Sequence, residues 1–577
     1  MYYKNNGDIC NVILNRNIRN MQHYLNYIDK SIKEHWDAPA FSNYGGNTLT
    51  YGQVSEGIEK YHIIFDASGI NKGDKIALYA RNSAEWAVAY LAVVSYDAVV
   101  VPFLPDFLAG AVAELSEFSE CKMIICDKIA YDAIKSDEKQ LDRIKNIKDF
   151  TCLINVADRE IFDKTDKTEA IDATMVNASF AKKFPNGINP KLVNYCKSDM
   201  NAVAVISFTS GTTSATSKGV VLPSRSLSAN LEFARREIPM CEGNTIFSVL
   251  PMAHMFGQTF DFLFPLSGGC HITILNGKPV PARLLAGLAA VKPFMFLTVP
   301  LVVEKIFKSK VFPMLRKSYM KVLMKIPGIN NIILNAIRKK LVSAFGGGLT
   351  TGVIIGGAAL NKEVEDLMKK MNFPYCVGYG MTECGPLISY CDREQFEKYS
   401  CGRRAIPLEV RIDSKDPRRI LGEIQCKGDA VMLGYYNNEA ATKASFTSDG
   451  WLKTGDMGII DKKGNIFIKG RCKNMILSAS GQNIYPEEIE DKVNNLPHVL
   501  ESLVVGRKNA LVALVVADYE GAKAAGISEE EVNSIIEENV LNLNKELPAY
   551  SQIAATEIRR DPFEKTPKQS IRRFMYS

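Results

Sequence analysis

Residues 75–103 read as a short apolar run, an apolar-rich stretch of helical length and a second apolar run: KIALYA, then SAEWAVAYLAVVSYDA, then VVVPF. A strand, a helix and a strand in that order bring the second strand back parallel to the first. This unit commits the chain to an α/β architecture built on a parallel sheet. Ser83 stands where it can cap the helix. Further strand-like runs recur as KMIIC, AVISF, TIFSVL, HITIL, FMFLTV and GVIIGG. From about residue 402 to 470 short strands and turns dominate, as in GEIQCKGDAVMLGYY and DKKGNIFIKG, which predicts a β-rich subdomain. In the last hundred or so residues, SLVVG and ALVALVVAD read as two strands around the turn RKN. Ser528 and Glu531 then form a capping box. Val532, Ile535, Ile536, Val540, Leu543 and Leu547 follow at near-helical spacing up to Pro548.

Composition excludes several classes. Apolar residues make up 46% and charged residues 23% of 577, an ordinary globular balance. No run reaches the ~20 apolar residues of a membrane span, and the first twenty residues lack the apolar core of a signal peptide. The 13 cysteines are scattered without a C-x-x-C pair, which argues against a zinc site or disulfide framework and for reduced thiols in a cytoplasmic setting. A net charge of +6 is too small to imply nucleic acid. That charge is concentrated: residues 305–340 hold ten Lys/Arg and no Asp/Glu, leaving the rest of the chain at −4.

The stretch SFTSGTTSATSKGV, residues 207–220, follows an apolar strand and carries hydroxyls at eight of eleven positions from Ser207 to Ser217. Hydroxyl donors around one glycine, closed by a lysine, suit phosphate. The common nucleotide loop G-x-x-x-x-G-K-[ST] is absent, because Ser217 precedes Lys218. Taken alone, the segment is also compatible with an exposed Ser/Thr linker.

Seven segments in order, FTSGTTSATSKGV, LPMAHMFG, GGAAL, GYGMTE, GYYNNEAATKASFTSDGWLKTGD, GRCKNMILSASGQNIYPEEIE and FEKTPKQSIRR, resemble the acyl-adenylate-forming (AMP-binding) enzymes. LEVRIDSKDPRRILGEIQCKGDAVMLGYY and the basic segment before FGGGLTTGVIIGGAAL are most similar to long-chain fatty acyl-CoA synthetases. The resemblance implies a large N-terminal domain of parallel and mixed sheets with helices, residues 1–472, including the β-rich part. A small mobile α+β domain follows, residues 473–577, hinged at Lys473. It also implies two-step chemistry. A fatty acid carboxylate attacks the α-phosphate of ATP with magnesium present, and CoA then takes the acyl group.

The nucleophiles come from substrates, so the protein need only position and stabilise charge. By resemblance, Thr209, Ser210, Gly211, Thr212, Thr213 and Lys218 hold pyrophosphate oxygens. Glu383 binds magnesium and Thr382 phosphate. Tyr379 and Gly380, with the backbone of Gly356, Gly357 and Ala358, enclose adenine. Asp456 accepts the ribose hydroxyls, a role suited to an acceptor-only carboxylate, assisted by Arg471. His254 approaches the acyl carboxylate, and Gly481 leaves room for the CoA arm. Gly257 stands where amino-acid-activating relatives tend to carry an aspartate, which favours an uncharged acid. Each residue in isolation has an ordinary structural reading, such as a turn aspartate or a core histidine.

Two positions depart from the family pattern. Four residues, SATS, separate TSGTT from the lysine where three are usual. The closing motif reads KTPKQS, with Ser570 where a catalytic lysine is expected. Loss of a cation at a site of developing charge costs about 2.7–4 kcal/mol. In an extended segment Lys568 shares a face with Ser570 at ~7 Å, so Lys568 is the candidate replacement. Alternative readings are a ligase that loads a carrier protein, and a binding protein whose catalysis has weakened. The mixed basic and apolar segment 305–340 suits a peripheral anionic membrane surface, with a solvated helix pair or a patch for CoA phosphates as alternatives. Acyl chain length and oligomeric state are not readable from the sequence.

Overall fold

The computed structural model describes residues 21–577 apart from 198, 210–216, 278, 479–481, 508–509, 525, 566–570 and 577. The strand–helix–strand unit forms as expected: Lys75–Tyr79, Ala84–Ser95 and Val99–Pro102, with the two strands parallel. Ser83 caps the helix by accepting from Trp86 N at 3.0 Å. The strands belong to an eight-stranded sheet ordered Gly434–Tyr435, Gly219–Pro223, Val203–Phe208, Val99–Pro102, Lys75–Tyr79, Cys121–Cys126, Cys152–Asn155 and Ile161–Asp163. Its centre is parallel and its two margins antiparallel.

A second sheet has seven strands, ordered Tyr375–Val377, Gly352–Ile355, Met295–Thr298, Thr245–Ser248, His271–Ile274, Pro39–Asn43 and Thr48–Thr50. All its pairs are parallel except the last. Every residue of Ala84–Ser95 except Glu85 is buried, which explains its largely apolar character. Trp86 and Tyr90 on this helix meet Phe262, whose ring also meets Phe41 of the second sheet at 5.8 Å between centroids. One aromatic cluster thus ties the two sheets together.

The β-rich part is an antiparallel sheet of Glu409–Asp413, Gly422–Lys427, Leu452–Ile460 and Ile466–Arg471. The final module pairs Val499–Arg507 with Ala510–Ala517 antiparallel, and adds Ile553–Arg559 in parallel. The capping box at Ser528 opens helix Glu529–Asn544 as read from the sequence. The helix stops three residues before Leu547, which is buried in the turn that precedes Pro548. This module has its own apolar core. Polar contacts join it to the larger part: Lys308 Nζ donates to Asn494 O at 3.0 Å, Asn361 Nδ2 to Asn495 Oδ1 at 2.6 Å, and Lys362 pairs with Asp491 at 3.4 Å. The α/β class and the small α+β module agree with the sequence reading. The antiparallel sheet margins and the N-terminal strand Pro39–Asn43 were not foreseen.

Beside Phe262 lies Asp261, fully buried, its Oδ2 held by Val249 N and Leu250 N at 3.3 Å and its Oδ1 unpartnered among the described residues. Burial pushes this carboxyl up to about 7 from an ordinary 3.8. The folded state therefore retains a proton that the unfolded state releases, and stability falls as pH rises from about 4 to about 7. Asp261→Asn is expected to remove that part of the slope, read as the difference between wild-type and variant denaturation midpoints across this range.

Candidate functional site

The hydroxyl-rich segment joins two strands that pair with each other. Val203–Phe208 and Gly219–Pro223 run antiparallel with Phe208 opposite Gly219, and Thr209 N donates to Lys218 O at 3.0 Å. Thr209 and Lys218 therefore form the base of the loop. Ser210, Gly211, Thr212 and Thr213 lie outside the described residues, as does Ser214. The position after the lysine is closely packed, since a Cβ on Gly219 would stand 3.1 Å from both Ile206 Cγ2 and Phe208 Cε1.

Strand Gly219–Pro223 is also hydrogen-bonded along its other side. Gly434–Tyr435 pairs with it antiparallel, Tyr435 opposite Val220. This sets the Tyr435 ring against Lys218, whose Nζ is 4.5 Å from the ring centroid, a cation–π distance. The Tyr435 hydroxyl donates to Glu383 Oε1 at 2.8 Å. Burial and the adjacent Glu383 push the Tyr435 hydroxyl's pKa up, so it stays a donor. The motif GYYNN by itself points to no role for Tyr435; its place opposite Val220 depends on a strand pairing between segments over two hundred residues apart.

Thr382 and Glu383 open a buried single turn, Thr382–Cys384. Asn230 fastens its carboxyl end: Nδ2 donates to Cys384 O and Oδ1 accepts from Leu387 N, each at 2.9 Å. Gly380, just before the turn, faces Pro386 O so closely that a Cβ would fall 2.1 Å away. Tyr379, one residue earlier, donates its hydroxyl to Asp456 Oδ2 at 2.7 Å. Arg471 Nε contacts the other oxygen at 3.0 Å, the two residues being directly opposed across adjacent strands. Burial raises the Asp456 carboxyl, and Arg471 and the Tyr379 hydroxyl oppose that rise. Asp456 is buried while Arg471 is largely exposed.

Gly356, Gly357 and Ala358 follow strand Gly352–Ile355, and Gly378 N donates to Ile355 O at 2.9 Å. These residues therefore lie beside Tyr379. Gly357 has a φ of +91°, which favours glycine. A Cβ on Gly356 would be 3.1 Å from Phe256 Cζ. Phe256 thus joins the LPMAHMFG segment to this backbone. His254, two residues earlier, accepts from Phe256 N through Nδ1 at 3.3 Å, which places its ring proton on Nε2. Lys473 is exposed in a single turn, Cys472–Asn474, directly after Arg471. Gly481 and Lys568 lie outside the described residues.

The arrangement is continuous. Lys218 leads through Tyr435 to Glu383, the turn leads back to Tyr379, and Tyr379 leads to Asp456 and Arg471. One end presents cation and hydroxyl donors; the other presents a carboxylate acceptor. Among the described residues no cluster of three His, Cys, Asp or Glu could hold a metal. A magnesium ion that shares its shell with phosphate oxygens and water needs only one or two carboxylates. Glu383, with Oε2 unpaired among the described residues, fits that requirement.

Comparison with known proteins places the chain. Residues 28–436 match the AMP-binding enzyme family, and residues 473–576 match the AMP-binding enzyme C-terminal domain. A 4-coumarate–CoA ligase of Humulus lupulus is 27% identical over 542 residues, covering 89% of this chain and 87% of the relative. A long-chain-fatty-acid–CoA ligase of Escherichia coli O6:H1 is 27% identical over 539 residues, covering 89% and 88%. The fold is similar to that of ATP-bound MatB from Rhodopseudomonas palustris, with a TM-score of 0.73, 21% identity and coverage of 95% and 97%.

Tyr435→Phe keeps the ring under Lys218 and removes the hydrogen bond to Glu383. A hydrogen bond to a charged group contributes about 1.5–3 kcal/mol, so the variant is expected to lower ATP-dependent turnover by about ten-fold or more. Steady-state rates at saturating ATP and magnesium check this.

Proposed function

Because the chain belongs to the AMP-binding enzymes, we propose that it activates a fatty acid with ATP and magnesium and transfers the acyl group to CoA, releasing pyrophosphate and AMP. The observation that carries this reading is the single path from Lys218 through Tyr435, Glu383 and Tyr379 to Asp456. It offers a phosphate end and a ribose end at the two sides of one short backbone segment, residues 379–383.

In this reading the hairpin loop and Lys218 hold the β- and γ-phosphates, while Thr382 and Glu383 face the α-phosphate side. Magnesium bound by Glu383 supplies charge neutralisation on the phosphate oxygens. Asp456 takes the ribose hydroxyls while Arg471 holds the carboxylate in place. Gly356, Gly357, Ala358, Tyr379 and Gly380 enclose adenine, and His254 presents its Nε2 proton towards the acyl carboxylate. Acyl transfer follows rotation of the small domain about Lys473, with Gly481 clearing the thiol's path, a hinge-type rearrangement.

The acid is taken to be uncharged beyond its carboxylate. A Cβ on Gly257 would fall 2.5 Å from Pro251 O, so the backbone there leaves no room for an acidic side chain to pair with an ammonium group. Fatty acids, long-chain ones foremost, follow from the resemblance around residues 305–341. The equal similarity to a 4-coumarate–CoA ligase makes an aromatic acid the rival substrate.

Pyrophosphate and AMP release, measured over fatty acids of graded length and a hydroxycinnamate, with and without CoA, tests the reading. Release of AMP with a fatty acid only when CoA is present is the expected result. Turnover confined to the aromatic acid overturns the substrate, and turnover only with an acyl-carrier protein overturns the acceptor. ATP binding without turnover on any acid overturns the enzyme reading. Lys568, proposed to replace the cation missing at Ser570, has its own test. Lys568→Ala is expected to cut pyrophosphate release by about 10²–10³ while leaving thioester formation from supplied acyl-AMP intact; unchanged pyrophosphate release removes it from the mechanism.

A further inference from the structure

The basic segment folds into short helical pieces, Pro300–Ile306, Phe307–Val311, Phe312–Leu315 and Ser318–Leu323, followed by the longer helix Ile329–Ala344. Of its ten cations only Arg316 has an ion pair among the described residues, with Glu363 at 3.6 Å. Lys308 donates to a backbone carbonyl, Asn494 O, at 3.0 Å. Lys305, Lys310, Lys317, Lys321, Lys325, Lys339 and Lys340 are exposed without a counter-charge. Surfaces of soluble domains ordinarily intersperse both signs. A field of one sign left uncompensated attracts an anionic surface.

Apolar side chains stand out among these cations. Tyr319 is 58%, Val322 63%, Ile326 39% and Ile332 69% exposed. Tyr319 and Val322 are three residues apart on helix Ser318–Leu323 and share one side of it; Ile326 lies in the turn that follows, and Ile332 on the next helix. Large apolar side chains stranded in water among unpaired lysines suit the boundary of a charged bilayer, where apolar groups enter the acyl region and cations meet headgroups.

Adjoining the segment is an open groove of about 700 Å³. It lies at the amino-terminal ends of strands Gly352–Ile355 and Tyr375–Val377, with Leu349 and Pro374 at its edge. The candidate site, at Gly356 and Tyr379, is at the opposite ends of the same strands. Arg338, Lys339, Lys369 and Arg393 line the groove against one exposed carboxylate, Glu394. Phe373 and Tyr375 supply part of its apolar floor.

We propose that this face docks the protein on an anionic phospholipid bilayer, with Tyr319, Val322, Ile326 and Ile332 entering the interface. The groove takes the phosphate headgroup of one lipid between Arg338, Lys339, Lys369 and Arg393. Docking through this face does not depend on which reaction the protein catalyses. A substrate acid dissolved in a membrane would reach a protein already seated there.

Co-sedimentation of the full chain with extruded vesicles tests it. Phosphatidylcholine vesicles are compared with vesicles in which about a third of the lipid is phosphatidylglycerol, at low and at raised salt. Binding to the anionic vesicles alone, weakened by salt, is expected. Each membrane-facing cation contributes about five-fold to partitioning, so Lys321→Glu/Lys325→Glu/Lys339→Glu is expected to lower it at least about 100-fold. Tyr319→Ser/Val322→Ser is expected to lower it while leaving salt sensitivity in place. Arg338→Glu is expected to weaken binding of a soluble glycerophosphate headgroup, read by calorimetry. Unchanged melting curves establish that these exposed substitutions leave the fold intact. Absence of binding to anionic vesicles at low salt overturns the proposal, as does binding indifferent to charge reversal. A raised KM for CoA in the charge-reversal variant, without vesicle binding by wild type, also overturns it and assigns the patch to the cosubstrate's phosphates.

Discussion

Strand Gly219–Pro223 is held by hydrogen bonds along both sides, and the candidate site depends on that. On one side it closes the hydroxyl-rich loop against Val203–Phe208. On the other it fixes Gly434–Tyr435. A side chain placed by a paired strand has its position set by a ladder of backbone bonds, which a loop cannot match. Lys218 and Tyr435 inherit that precision from opposite neighbours, and Glu383 receives it through the tyrosine hydroxyl. Replacement of Gly219 by a larger residue would press on Ile206 and Phe208 and disturb the three together.

The two large sheets explain where the remaining groups stand. Gly356 and Tyr379 follow the carboxyl ends of adjacent parallel strands in the second sheet. Sites at the carboxyl ends of parallel strands are a general property of such folds, because the connecting loops gather there. The hydroxyl loop follows the end of a central strand in the first sheet. The buried helix Ala84–Ser95 and the aromatic cluster at Phe262 fasten one sheet to the other. The groove lined by Arg338 and Lys339 occupies the other ends of the second sheet's strands, so the chain carries two unlike surfaces at opposite poles of one scaffold.

Much of this was legible in the sequence, for identifiable reasons. Local signals performed well: Ser83 and Ser528 cap the helices they precede, and alternation between apolar runs and turns located most central strands. Asp456 and Arg471 were named from separate motifs and face each other across two strands. Information carried by long-range pairing was not accessible. The strand pairing of Tyr435 and the contacts of Asn230 and Phe256 reach segments more than ninety residues away in the chain, and no local pattern distinguishes these residues from ordinary core residues. The antiparallel margins escaped for the same reason, since strand direction is decided by the partner.

Asp456 shows what such pairing accomplishes before any nucleotide arrives. Its two oxygens already accept from Tyr379 and Arg471. A buried carboxylate stripped of partners would suffer a heavy desolvation penalty or take up a proton. Here the charge is solvated by the protein itself, and each oxygen retains a second lone pair for a newcomer. In the proposed reading, an incoming ribose diol would meet an acceptor that is already dehydrated and oriented. Recognition at Asp456 would then be an exchange among hydrogen bonds, the cost of removing water from the anion having been met when the chain folded.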